Sequence, residues 1–152
     1  MKKNLFLLCA LLAPALISAQ LSSKDAWKQA AKLEKSIEKT SFPDRTFNIT
    51  DFGAKPDTPE APCHDAINLA IITCNQAGGT VVVPAGTFYT GPITLKSNVN
   101  FHLEEGAVLK FDTNPELYMP AVLTRWEGVD CYNMHPLIYA YGETNLAITG
   151  KG

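Results

Sequence analysis

The sequence predicts a mainly β chain wound into the start of a parallel β-solenoid, and three observations carry that prediction. Two stretches share one pattern: Asn98-Val99-Asn100-Phe101-His102-Leu103-Glu104-Glu105-Gly106 alternates apolar and polar residues and turns at glycine, and Asn145-Leu146-Ala147-Ile148-Thr149-Gly150 begins the same way. From Thr80 onward, strands of three to five residues alternate with turns every few residues, too short for an open sandwich. An apolar helix directly precedes this run, where a solenoid needs cover for its exposed first face. The offset from Asn98 to Asn145 is 47 residues, about twice the ~20–30 residues of one rung. A rung cannot bury its own apolar face and needs neighbours, so a chain ending at Gly152 inside the repeat is expected to open a longer protein. Alone, its last strand would show unpaired backbone groups, which predicts poor solubility.

Residues 1–19 read as a secretory signal peptide. Lys2 and Lys3 precede an apolar run from Leu5 to Ile17, and Ser18-Ala19 supply the small residues of a cleavage site. The run is short, contains Pro14 and lacks a basic stop beyond it, which argues against a membrane span. The expected location is therefore secreted or periplasmic, with no membrane span after signal removal. Cys9 lies too early in the run to be a lipidated first mature residue.

Residues 20–45 read as an amphipathic helix and a linker. Trp27, Ala30, Leu33 and Ile37 recur at three- and four-residue steps between Ser22 and Lys39, and Ser22 with Asp25 resembles a capping box. The stripe is expected to pack on something. A membrane-surface helix is the sharper alternative, but the stripe is narrow and its polar face carries both charge signs.

Residues 46–152 hold the predicted rungs. Phe47 to Ala54 alternates and then turns, as a short strand leading into a loop with Pro56, Pro59 and Pro62. His64 to Ala77 is apolar around much of its circumference and ends at Gly78-Gly79, so a buried helix is expected, serving as a lid on the first rung. Strands follow at Thr80–Val83, Thr87–Thr90, Ile93–Leu95, Val99–Leu103 and Ala107–Phe111. Asp112 to Met134 breaks the rhythm with a longer mixed segment before Leu137–Tyr141 resumes it, and such interruptions are where solenoids place binding loops.

A formal charge of −2 and a pI near 5.9 offer no basic footprint, so no nucleic acid partner is expected. Cys63, Cys74 and Cys131 follow the signal. If Cys63 and Cys74 flank one helix they stand roughly 16 Å apart, too far for a bridge. They read as buried small hydrophobes, and no Cys/His spacing suits zinc; no metal or cofactor is expected.

The chain resembles the polygalacturonases of glycoside hydrolase family 28. The residues that carry the resemblance are Phe47–Ala54, Gly78–Phe88, Thr90–Ile93, Leu95–Val99, Leu103–Ala107, Thr124–Gly128 and Ile148–Gly152, in order and sensibly spaced. The fold it implies is a right-handed, single-stranded parallel β-helix of the pectin lyase-like kind. The activity it implies is metal-free, single-displacement hydrolysis of α-linked galacturonic acid polymers, with a pectic polysaccharide (galacturonan or rhamnogalacturonan) as partner. The family's active-site signatures, an Asn-Thr-Asp strand end, an Asp-Asp pair, a Gly-His-Gly turn and an Arg-Ile-Lys segment, do not occur in these 152 residues. A calcium-dependent pectate lyase-like enzyme and a non-catalytic polysaccharide-binding module are the rival readings.

No catalytic residue is assigned. Inverting hydrolysis needs two carboxyl groups about 6.5–9.5 Å apart. The neighbours Glu104-Glu105 sit in a turn, and adjacent residues on a strand point to opposite faces. The candidate substrate-binding residues are Arg125, Trp126 and Glu127 in the mixed segment. An Arg can grip a uronate carboxylate by two hydrogen bonds and an indole can stack on a sugar. The alternative is that Trp126 fills core under a loop while Arg125 and Glu127 pair locally. His135-Pro136 and Tyr139 or Tyr141 could line the same cleft, although a strand tyrosine is more often packing. His102 is expected on the outer face of its strand.

Overall fold

The structure, a computed structural model, describes residues 22–152, so the expected signal peptide and Cys9 lie outside the described residues. The chain divides into two units, Met1–Lys39 and Thr40–Gly152. In the first, α1 spans Ser23–Ser36, with Ser22 as N-cap accepting from the Asp25 amide. The helix stops before the expected Lys39. The Ser36 hydroxyl donates to the Leu33 carbonyl and Ile37 turns to extended backbone. No residue of α1 is buried.

The second unit is built from coils. Strand β1 (Thr46–Asn48) leads through a 3₁₀ turn (Ile49–Phe52) and the Pro-rich loop into α2 (His64–Ala77). The expected strand through Phe52 is thus cut to three residues. The Asn48 side chain accepts from the Thr50 amide and bends the chain, and Gly53 closes the turn at φ 99°. Coil one then comprises β2 (Gly79–Val83), β3 (Gly86–Thr90) and β4 (Ile93–Thr94). Coil two begins with β5 (Val99–Leu103) and β6 (Ala107–Phe111).

Coil two is interrupted after β6. A 3₁₀ turn (Pro115–Tyr118) and an antiparallel hairpin, β7 (Val122–Trp126) and β8 (Val129–Asn133), come before β9 (Ile138–Tyr139) completes it. Strand β10 (Ala147–Gly150) starts coil three.

Pairing between coils is parallel throughout: β2 with β5, β3 with β6, β4 with β9 and β5 with β10, while β1 lies on the other edge of β2. The registers locate the interruption. Gly79 pairs with Val99 and Gly86 with Ala107, steps of 20 and 21 residues; Ile93 pairs with Ile138 and Ala147 with Asn100, steps of 45 and 47. The 47-residue spacing is therefore one rung and not two. Its excess sits at one corner, between β6 and β9, where coil one makes only the short Gly91-Pro92 turn.

Alternate residues of the strands face inward and form the core: Val81, Val83, Phe88, Ile93, Val99, Phe101 and Ala107. The helix α2 adds Ile67, Ala70, Ile71 and Cys74. The burial all round that its composition suggests is not what the structure has. Leu69 and Ile72 stay about half exposed because only one face meets the coil.

What α2 and the preceding loop do is seal the free edge of coil one. The Asp57 amide donates to the Thr87 carbonyl, and the Cys63 amide to the Tyr89 carbonyl, along β3. Asn68 accepts from the Thr94 amide and donates to the Pro92 carbonyl along β4, and Asn75 donates to the Ser97 carbonyl at the next corner. Strand β1 takes the edge of β2. Backbone groups that would otherwise template edge-to-edge association are thereby satisfied.

Candidate functional site

The hairpin β7–β8 is the part of the molecule that the coil geometry does not require. It holds all three residues singled out as substrate contacts. Its two-residue loop is Glu127-Gly128, with φ of 48° and 87°, the pair of positive φ values a type I′ turn requires. Glu127 is thus a turn residue at the tip.

The pairing separates the other two. Arg125 lies opposite Asp130, and Trp126 opposite Val129. Residues directly across an antiparallel pair share a face, and successive residues alternate. One face accordingly carries Leu123, Arg125, Asp130 and Tyr132, the other Val122, Thr124, Trp126, Val129, Cys131 and Asn133. Arg125 and Trp126 therefore stand on opposite faces of the hairpin. Trp126 fills no core: it is 70% exposed. Arg125 pairs locally, but with Asp130 (Nη1 to Oδ1, 3.5 Å) and not with Glu127.

The root of the hairpin is held to the coil by a small polar cluster. The Tyr139 hydroxyl donates to the Leu123 carbonyl at 2.8 Å. The His135 amide donates to the Tyr118 carbonyl at 2.9 Å, and the His135 and Tyr139 rings meet at 5.1 Å, tilted by 59°. His135 Nδ1 faces the Pro136 carbonyl at 2.6 Å, which can only accept, so Nδ1 carries the proton. Nε2 lies 3.0 Å from the Thr94 hydroxyl, from which the neutral ring accepts. His135 and Tyr139 thus serve as anchors of the hairpin. Tyr141 is exposed on the following segment.

A second polar cluster escaped the sequence reading. The Glu143 carboxylate accepts from Lys96 Nζ at 3.1 Å, from the Ser97 amide at 2.7 Å and from the Ser97 hydroxyl. The Ser97 hydroxyl bond is the main cause that holds the Glu143 carboxyl below its usual range, with Lys96 and the Ser97 amide adding to it. Only the spacing Ser97–Glu143, one long rung apart, could have signalled it. Glu104 and Glu105 are exposed in their turn, as expected, and His102 sits on the polar side of β5, its Nδ1 2.8 Å from the Thr149 hydroxyl.

Cys63, Cys74 and Cys131 are free thiols. Cys63 and Cys74 are buried, and desolvation pushes both up, Cys74 to about 11. Among the described residues no three His, Cys, Asp or Glu side chains gather as a metal ion needs, and no helix is long and apolar enough to cross a membrane. Two surface depressions, of about 350 Å³ beside the start of α2 and about 330 Å³ beside Asn98 and Asn145, include none of the hairpin residues.

The chain therefore belongs to the class of coiled, parallel-strand scaffolds that carry an inserted arm at one corner. Its homologues are exopolygalacturonases, and the resemblance to the polygalacturonases of glycoside hydrolase family 28 holds over the part of the chain compared. The exopolygalacturonase of Thermotoga maritima is 43% identical with a TM-score of 0.74, covering 82% of this chain and 28% of that one. The family 28 exopolygalacturonase of Yersinia enterocolitica is 33% identical with a TM-score of 0.64, covering 74% of this chain and 21% of that one. The exo-poly-alpha-D-galacturonosidase of Dickeya chrysanthemi is 39% identical over 77 residues, 51% of this chain and 12% of that protein. The chain thus spans less than a third of the length of each of these three. No family model matches.

Proposed function

We propose that these residues form the capped end of a right-handed parallel β-helix in a secreted, pectin-degrading glycoside hydrolase of polygalacturonase type. In this reading residues 1–19 direct export, residues 20–45 supply a helix and linker, and residues 46–152 supply coils. The whole protein hydrolyses α-1,4-galacturonosyl linkages with inversion. The observation that carries the reading is the 43% identity to an exopolygalacturonase across 82% of this chain.

The chemistry divides the labour. Inversion needs one carboxylic acid to protonate the leaving oxygen and one carboxylate, about 6.5–9.5 Å away, to activate water. Glu104 and Glu105, exposed in a corner, do not frame such a site. The catalytic carboxyl groups are assigned outside these 152 residues. The contribution of this segment is a rigid, edge-sealed scaffold and a substrate contact through Arg125 on the inserted hairpin.

Two measurements on the purified 152-residue protein test this. In a gel containing polygalacturonate its migration should be retarded, and no reducing ends should be released above background. Release at enzyme-like rates would place the catalytic carboxylates within this chain. A folded protein whose migration ignores the polymer would remove the pectic ligand.

A further inference from the structure

The hairpin has two faces of different chemistry, and only one of them suits an acidic sugar. On the first, Arg125 stands opposite Asp130, and Tyr132 lies diagonally across from Arg125, opposite Leu123. Diagonal neighbours on one face are within reach of long and aromatic side chains. Tyr132 is 74% exposed, and the Arg125 and Asp130 side chains are about as open. The second face offers Trp126 and Val129 without a cation among its paired residues.

We infer that Arg125, Asp130 and Tyr132 form a binding surface for one uronate unit of a pectic chain. Tyr132 lies under the sugar ring, Arg125 takes the carboxylate, and Asp130 is the group the carboxylate displaces. The inference rests on the pectic reading above and names the residues that execute it; Trp126 is not among them.

The Arg125–Asp130 contact supports exchange. At 3.5 Å it is longer than the ~2.7–2.9 Å of a strong charge-assisted bond, and both groups are open to water, where such pairs are weak. A sugar carboxylate can offer the guanidinium two parallel bonds, which Asp130, fixed across the strand, does not make here. The sugar's apolar face meanwhile covers the Tyr132 ring, a large contact that costs little side-chain ordering. Asp130 also sets specificity. It repels anions that cannot reach the guanidinium, and it leaves a neutral or esterified sugar no reason to displace it.

The test is a titration of the 152-residue protein with trigalacturonate, followed by NMR, with neutral galactotriose as control. Arg125→Ala and Tyr132→Ala should each weaken binding about five- to tenfold, the scale of one exposed charged or aromatic contact. Tyr132→Phe should restore most of it, and Asp130→Asn should tighten it about two- to threefold, the worth of one surface ion pair. Trp126→Ala should leave the affinity unchanged, with hairpin backbone shifts reporting an intact fold in every variant. Weakening by Trp126→Ala together with indifference to Tyr132→Ala would overturn the inference and leave the pectic reading standing. So would weakening by Asp130→Asn, or equal affinity for galactotriose. A wild-type chain that binds no trigalacturonate would overturn both.

Discussion

Asn145 sits directly on Asn98 one coil away, its Nδ2 donating to the Asn98 Oδ1 at 3.0 Å, and both backbones are left-handed, at φ 49° and 62°. The strand register places Gly78, at φ 70°, in the same column. One corner of the stack thus repeats a positive φ, although Gly78, with ψ 152°, lies in a region open to glycine rather than in the left-handed helical one that Asn tolerates. The third use of Asn145 is to hold the segment before β1: it accepts from the Ser41 amide at 3.0 Å and donates to the Ser41 carbonyl at 2.9 Å.

Two substitutions separate these contributions. Asn145→Ala removes the bonds and adds a left-handed alanine, and should cost about 2 kcal/mol. Asn145→Gly removes the bonds but keeps the backbone at ease, and should cost about 1 kcal/mol. Urea unfolding midpoints at constant m would read the difference; equal midpoints for the two variants would deny the backbone part.

Glu143 predicts an acid limit to stability. Its folded carboxyl lies below the ordinary value because Ser97 and Lys96 bind the charged form. The folded state therefore holds fewer protons than the unfolded one across that interval. The stabilisation is complete above the unfolded value of about 4.3 and is lost as pH falls through the lower, folded one. Melting temperature measured against pH should drop more gently below that point in Glu143→Gln than in wild type. Parallel profiles would show that the carboxylate is not what senses acid.

The hairpin buries no residue along either strand, and an isolated two-stranded ribbon is marginal in water. Its orientation depends on the few bonds at its root, with the Tyr139–Leu123 bond central among them. Tyr139→Phe keeps the ring against His135 and deletes only that bond. In a Trp27→Phe background, where Trp126 is the remaining tryptophan, fluorescence anisotropy should show faster motion at the tip. The loss in global stability should stay near 1 kcal/mol. Unchanged anisotropy would mean the hairpin is held by other contacts.

Thiol reactivity should order the cysteines. In a Cys9→Ser background a disulfide reagent at pH 8 should modify Cys131 first, since it is partly open. Cys74, fully buried and pushed up to about 11, would be thiolate in about one molecule in a thousand at that pH. Cys63 donates its Sγ hydrogen to the Tyr89 carbonyl and is shielded as well. Fast modification of Cys74 in the folded protein would contradict the sealed core beneath α2.

The strands of the coils were legible because each strand face is either buried or wet, so polarity alternates residue by residue. Val99–Leu103 and Ala107–Phe111 come out of the sequence with the bounds they have in the structure. Helix α2 does too, since a Gly-Gly stop follows a run of apolar residues with only one way to end. The family resemblance rests on the same local signals.

Pairing was decided elsewhere. Whether 47 residues meant one rung or two depends on which backbone groups meet across the stack, and hydrogen bonds between distant segments leave no periodic mark in the chain. The same holds for Glu143, whose partners are set by the coil step, and for the hairpin, whose turn residue Glu127 is an unusual choice for positive φ. Chemistry at the level of residue type was present in the sequence. The side of a ribbon on which Arg125 and Trp126 stand follows from β pairing, and that pairing exists only once the chain has folded.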